Sequence, residues 1–599
     1  MFNYSSSSPK ISNCTFTGNS GGLFGGGMYN NDSSPTISNS IFSGNSADWD
    51  GGGINNNSSS PTITNCTFSE NMVNEYGGGI DNYDSFPTIT NCIFWGNSAQ
   101  WGPQINNDSS APTVTYSDIQ GGCAATGSNC GAGNINANPL FVSGSTPYDS
   151  HIHLGSPCID AGTASGAPSD DRDGRARPQG GGFDMGAYEN RVWYVDITAT
   201  GAANGTSWTD AFTVVQDGMD AAPRGDLIYV ADGTYTRPIG GNEPVLTMDD
   251  GTLVFGGFVG TETSFADRPD PSLNPSVLDG EDLSLHVVSS MFASNLRVDG
   301  FHITRGNANL GVDPDNAGGG ILAILSDDFF ISNCELDYNY AFAGGAGVVT
   351  STSNNVTINN TILKNNTSGS AAAGAYFYLT NVTINDSEFS QNVAGGAGGG
   401  IAIVETSMTV TDTIFNGNSG NSGGAIALFS QVPPVSITNC LFTGNTAGVL
   451  GGAMDIGTGT TPSITNCTFN NNTAVSYGGA ISSFDATPVI TDCILWGDSA
   501  PTGPEIQDWP FTNHPVVTYS DVQGTWPGTG NIALDPLFVT GSLGDYYISQ
   551  IAAGEGADSP CLDSGSDTAA NLGMDDKTTA TNDAPDSGQV DMGYHYPIP

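Results

Sequence analysis

A four-residue phrase returns at a constant interval near the start of the chain: Asn13-Cys14-Thr15-Phe16, Asn39-Ser40-Ile41-Phe42, Asn65-Cys66-Thr67-Phe68 and Asn91-Cys92-Ile93-Phe94, each 26 residues after the one before. Self-similarity at such a period marks a solenoid, in which one coil cannot bury its apolar face except against the next. The repeat restricts the fold more than any other feature of the sequence, because every coil must present the same residues to its neighbours.

Within each copy a Pro-Thr-Ile or Pro-Thr-Val start (Pro35, Pro61, Pro87) opens an alternation of apolar and hydroxyl residues, the period of a strand with one buried face. Ile37, Ile63 and Ile89 form one inward column and Phe16, Phe42, Phe68 and Phe94 a second. The parity of the alternation slips between Ile63 and Phe68, so the chain bends at Asn65. Asparagine tolerates the left-handed conformation of such a corner better than other non-glycine residues. Asn13, Asn39, Asn65 and Asn91 are therefore read as a structural ladder, their amides bonded from coil to coil. Glycine triplets at Gly25, Gly51 and Gly77 open a third segment that runs into Met28, Ile54 and Ile80. Three short strands and three corners per coil predict an all-β, right-handed parallel β-helix.

The array occurs twice. The phrase resumes at Asn333, Asn359, Asp386, Asp412, Asn439, Asn466 and Asp492, in steps of 26 or 27, which extends the ladder to Asn333, Asn359, Asn439 and Asn466. Both arrays end alike: Pro-Leu-Phe-Val at 139–142 and 536–539, Ser-Pro-Cys at 156–158 and 559–561, Asp-Met-Gly at 184–186 and 591–593. These stretches are expected to cap the last open strand edge. The expected division is 1–116 first array, 117–190 first C-terminal cap, 191–300 N-terminal cap and first coils of the second helix, 301–519 second array, and 520–599 second cap. A short helical turn over 215–222 is expected in the N-terminal cap. The first array opens at Met1 in mid-coil without a leader-like segment. The expectation is a longer or processed precursor, or an open end that docks head to tail on another copy.

With net charge −48 and 12 Lys+Arg among 599 residues, the chain lacks the basic face that nucleic acid or anionic membrane binding needs. No apolar run is long enough to span a bilayer as a helix. Cys14, Cys66, Cys92, Cys334, Cys440, Cys467 and Cys493 follow the corner residue and are read as small buried side chains, since parallel neighbours strain a disulfide. Cys123 and Cys130 lie together in a glycine-rich loop, where they pair as a local staple or remain free.

Phe16-Thr17-Gly18-Asn19 and Phe442-Thr443-Gly444-Asn445 fit a Phe-x-x-Asn motif, and Gly423-Gly424-Ala425-Ile426 and Gly478-Gly479-Ala480-Ile481 a Gly-Gly-Ala-Ile motif. In these the chain resembles the repeats of the chlamydial polymorphic outer-membrane proteins, a family of surface adhesins. The stretch from Asn138 to Glu189 is similar to the choice-of-anchor Q domain of large secreted bacterial proteins. The resemblance implies an extracellular or cell-surface setting and a non-catalytic structural or adhesive role, with matrix or surface glycans or proteins as partners.

The rival reading is a carbohydrate-active enzyme, a polysaccharide lyase or glycoside hydrolase on the same fold. Against it, the six histidines (His151, His153, His286, His302, His514, His595) are scattered, and the regular coils hold few cations beyond Lys10 and Lys364. No cofactor is required. Asp170, Asp171 and Asp173 precede Gly174 as carboxylates do in an oxygen-rich Ca²⁺ loop, or they form an acidic corner neutralised by Arg172, Arg175 and Arg177. Phe24, Trp49, Tyr76 and Trp101 stand just before the glycine corner of successive coils, and Tyr477 does so in the second array. These rings either form a ridge that stacks on sugars or a protein partner or fold back over the glycines.

Overall fold

The computed structural model describes residues 1–141, 150–152, 156–179, 182–237, 241–310, 314–429, 433–509 and 512–598; His153 and Val142 lie outside them. The chain forms two compact units, residues 1–193 with 222–228 and 251–253, and residues 194–221 with 229–250 and 254–599. In the described residues, no helix is long and apolar enough to cross a membrane.

The first unit is a stack of coils with three parallel faces. Phe2–Tyr4, Met28–Asn31, Ile54–Asn57, Ile80–Tyr83 and Ile105–Asp108 form the first face. The second runs through Thr36–Ser38, Thr62–Thr64 and Thr88–Thr90, the third through Ile41–Ser43, Thr67–Ser69 and Ile93–Trp95. Register is as the period requires, Ile37 beside Ile63 beside Ile89 and Phe42 beside Phe68 beside Phe94. All six are fully buried. The Phe16, Phe42, Phe68 and Phe94 rings stack at 4.7, 4.9 and 4.6 Å, so each coil covers the ring below it.

The second unit repeats this plan with parallel sheets of 12, 11, 10 and 7 strands and carries the helix Val215–Ala221. Phe389, Phe415, Phe442 and Phe469 stack as their counterparts do. Cys66, Cys92, Cys334, Cys440, Cys467 and Cys493 are buried free thiols, and Cys14 is a half-buried one.

The corner asparagines adopt the expected backbone, with φ of 55°, 46°, 50° and 54° at Asn13, Asn39, Asn65 and Asn91, but they are not the continuous ladder. Asn13 is exposed. Asn39 Nδ2 donates to Asp170 O (2.6 Å), Asn65 Nδ2 to Asp184 O (3.0 Å) and Asn91 Nδ2 to Thr163 O (2.8 Å), with a single rung between Asn91 and Asn65. In the second unit Asn439 Nδ2 donates to His595 O and Asn466 Nδ2 to Asp591 O. The chain that follows each array returns over this corner, and its carbonyls take the amides. Asn359 is corrected as well: it ends the strand Val356–Asn359, while Asn360 has the left-handed φ and donates to Asn333 Oδ1 (2.8 Å).

The unbroken ladder lies three residues beyond the phenylalanine, at the Phe-x-x-Asn asparagine. Asn19, Asn45 and Asn71 each give Nδ2 to the next Oδ1 at 2.8–2.9 Å, ending on Asn97. In the second unit Asn339, Asn366, Asn392, Asn418, Asn445 and Asn472 do the same at 2.8–3.1 Å, ending on Asp498. An interior rung such as Asn445 also donates to Phe415 O and accepts the Asn418 N–H on its Oδ1. Both amide hydrogens and both lone pairs are used, which is why a buried column of amides is tolerated.

Candidate functional site

The first face of the first unit begins at glycines that no other residue replaces easily. Gly25, Gly51, Gly77 and Gly102 have φ between 55° and 70°, and a Cβ on Gly77 would lie 2.5 Å from Ile80 O. The residues just before them align as Phe24, Asp50, Tyr76 and Trp101. Trp49 is therefore out of the column: its N–H bonds to Leu23 O and its carbonyl accepts the Glu75 N–H. The reason is spacing, since six residues separate the ladder asparagine from the glycine in each of the first three coils (Asn45 to Gly51, for one) and Asp50 occupies the last place.

Trp49, Tyr76 and Trp101 are 50%, 39% and 57% exposed, so these rings do not fold away. Phe24 is half-buried, edge-on to Trp49 (6.2 Å) and stacked on Tyr29 (5.8 Å). Phe24, Tyr29, Tyr76 and Tyr83, with Asp50, Asn55, Asp81 and Asn106, line an open cleft of about 500 Å³. Its floor is the row Tyr29, Asn55, Asp81, Asn106, aligned by strand register. Asn55 Nδ2 donates to one Asp81 oxygen (2.9 Å) and Asn106 Nδ2 to the other (2.8 Å). Burial pushes the Asp81 carboxyl up to about 7, against the Asn106 hydrogen bond and helped by Asp50 and Asp108. Asp50 is also raised, by burial and by Glu75, and its buried Oδ1 has no hydrogen-bond partner. The cleft thus combines apolar ring faces with carboxyl and amide groups held on rigid strands. Neither carboxylate was singled out from sequence, although Asp50 stands at an aromatic position of the repeat.

The second unit does not continue this surface. Its equivalent positions include Ala317, Gly344, Ala371, Ala397 and Ser422 before Leu450, Tyr477 and Thr502, and Tyr477 is half-buried against Trp509 (4.9 Å).

The aspartates of the expected Ca²⁺ loop have partners within the protein. Asp171 is fully buried and accepts the N–H groups of Asp173, Arg175 and Glu189. Asp173 faces His151 (3.2 Å), Arg172 and Arg175, and its carboxyl is lowered, mainly by His151. Asp170 accepts from Ser169 Oγ. Each of the three aspartates thus faces arginine, histidine, hydroxyl or backbone donors. Cys123 and Cys130 are disulfide-bonded, with Cα atoms 6.0 Å apart.

Residues 1–146 and 281–418 match the model of the right-handed beta helix region, and residues 466–483 match the Chlamydia polymorphic membrane protein repeat. No curated protein matches the chain. Similar solved structures include pectate lyase Pel9A, at 13% identity and TM-score 0.40 over 67% of this chain and 96% of that one. The polygalacturonase of Erwinia carotovora ssp. carotovora is 14% identical at TM-score 0.27, over 53% of this chain and 96% of the other. The A-module of the mannuronan C-5 epimerase AlgE6 of Azotobacter vinelandii is 12% identical at TM-score 0.26, over 53% and 93%. Coil register and family matches agree on a right-handed parallel β-helix repeat protein.

Proposed function

We propose that this chain is an extracellular glycan-binding solenoid of a bacterial surface or matrix, holding carbohydrate in the cleft of the first unit. The observation that carries the reading is exposed Tyr76 on the wall of a cleft floored by Asn55, Asp81 and Asn106, with exposed Trp101 next to it in the same column. Aromatic faces stack on the C–H faces of sugars, and fixed amide and carboxyl groups orient hydroxyls. The Chlamydia polymorphic membrane protein repeat match and the Cys123–Cys130 disulfide support a setting outside the cell. A glycan microarray tests it: the intact chain should bind a defined subset of glycans, and Tyr76→Ala with Trp101→Ala should abolish that signal. A chain that binds no glycan, or a double variant that binds as well, overturns the reading.

A second reading is favoured by one observation, the two carboxyl groups Asp50 and Asp81, both raised, in one cleft. Carboxyls with raised pKa are the groups that protonate a leaving sugar oxygen. A reducing-sugar and unsaturated-uronate screen on neutral and acidic polysaccharides separates the two. Product release that disappears in Asp81→Asn makes the chain an enzyme, and binding without release leaves it an adhesive protein.

A further inference from the structure

The second unit carries a side-chain cluster that neither reading uses. Three adjacent parallel strands, Phe301–Thr304, Glu335–Asp337 and Ile362–Lys364, turn Ile303, Leu336 and Leu363 into the core. Of the residues flanking these three, His302, Glu335 and Lys364 are half-buried on the outer side of the sheet, and Asp337 is buried beside them. Register places His302 beside Glu335, and Asp337 between Thr304 and Lys364. His302 Nε2 lies 2.7 Å from Asp337 Oδ1 and 3.8 Å from Glu335 Oε1. Among the described residues, these three are the group of His, Cys, Asp and Glu side chains whose ligand atoms all fall within 4.8 Å of one another.

We propose that His302 Nε2, Glu335 and Asp337 bind one divalent transition cation of the Zn²⁺ class. The donor set decides the class. One imidazole nitrogen with two carboxylates suits a borderline cation, whereas Ca²⁺ takes six to eight oxygens. Placement supports it. The three donors stand on hydrogen-bonded strands rather than on a loop, and His302 and Glu335 open into a cleft of about 390 Å³ with Asp270, Asn333 and Asn360 on its walls. Three protein ligands beside a cleft leave coordination positions for water or a ligand oxygen, the arrangement of reactive zinc sites rather than closed structural ones.

Lys364 provides the means of testing this. Its Nζ is 2.8 Å from Glu335 Oε1, and its side chain is 34% exposed, free to swing into water when a cation takes Glu335. A simple ion-pair cluster needs this ammonium; a cation site is weakened by it.

Full-length protein stripped with EDTA is titrated with ZnCl₂ in excess Mg²⁺ and Ca²⁺, which saturate non-specific acidic sites, with Co²⁺ as the spectroscopic probe. The expected result is one tight Zn²⁺ per chain and a Co²⁺ spectrum showing a nitrogen ligand. His302→Ala and Asp337→Asn should each weaken binding by at least about 100-fold, the upper end of what loss of an outer-shell partner costs. Lys364→Met should tighten it roughly ten-fold by removing a like charge. Circular dichroism and urea midpoints verify that these variants fold. Zn²⁺ binding that is indifferent to His302→Ala and Asp337→Asn, or weakened by Lys364→Met, overturns the proposal.

Discussion

The two amide ladders are built alike along their length and finish differently. In the first unit the last rung, Asn97, gives Nδ2 to Phe68 O (2.9 Å) and to Gln104 Oε1 (2.7 Å), and Gln104 Nε2 passes the chain to Gln120 Oε1 (3.1 Å). In the second unit the corresponding residues are Asp498, Glu505 and Gln523, with Gly497 N–H on Gln523 Oε1 as Gly96 N–H is on Gln120. Asp498 accepts from Asn472 and as a carboxylate has no hydrogen to pass on; it is buried beside Glu505, toward which the Asp498 and Gly497 N–H groups point. Burial raises both carboxyls, Glu505 further because the Asp498 charge adds to it. A ladder of neutral amides is indifferent to pH, and exchanging two amides for two acids makes its end a titrating joint.

The largest effect should come from breaking what the two units share. Asn445→Leu, or Asn71→Leu in the first unit, leaves the buried main-chain N–H and side-chain amide of the preceding rung without an acceptor and takes one donor from Phe415 O or Phe42 O. At 1–3 kcal/mol for each such group, a loss of about 3 kcal/mol or more is expected, read from urea unfolding and from amide exchange at Asn418 or Asn45.

The next effect separates the ends. A carboxyl whose native pKa exceeds its unfolded value holds more protons in the native state, so its stability contribution is lost as pH rises. For Asp498 and Glu505 that loss begins near the unfolded value of about 4 and continues through neutrality, at about 1.4 kcal/mol per pH unit for each proton involved. Urea midpoints of the second unit should fall between pH 4 and 8, and Asp498→Asn with Glu505→Gln should flatten the profile. An unchanged slope in the double variant would place the titrating group elsewhere.

Smaller and opposite in sign are the single exchanges. Asp498→Asn supplies the missing donor and should stabilise the second unit by about 1 kcal/mol at pH 7, while Asn97→Asp removes the bond to Phe68 O and should destabilise the first by about 1 kcal/mol. Thermal melts that move in the same direction for both would show that the ends are not distinct. The smallest stability change belongs to the exposed column: Trp101→Ala should shift unfolding by less than about 0.5 kcal/mol, as surface substitutions do, yet remove glycan binding in the microarray.

Much of this was open to inspection in the repeat. Spacing alone placed the Ile37, Ile63, Ile89 column, the phenylalanine stack and the left-handed bend at Asn65, because strand alternation and a fixed period leave few ways to bury those side chains. The same spacing contained the register of Asp50, since counting from the ladder asparagine to the glycine puts the acid, not Trp49, in line with Tyr76. The cluster of His302, Glu335 and Asp337 was harder to see: His302 and Asp337 meet across strands 35 residues apart in sequence, beyond a stretch where the 26-residue period is interrupted.

By itself the sequence determined the coil, its faces and its core, since those follow from one period repeated many times. Which asparagine column becomes the ladder was decided only in three dimensions. Both columns recur with the same period, so periodicity cannot rank them. The corner column lost its amides to carbonyls as distant as His595 from Asn439, 156 residues along the chain, and the path of a returning segment is written in no local pattern. The Phe-x-x-Asn column won because its amides lie inside the coil stack, where the preceding coil supplies a carbonyl for one hydrogen and the following amide accepts the other.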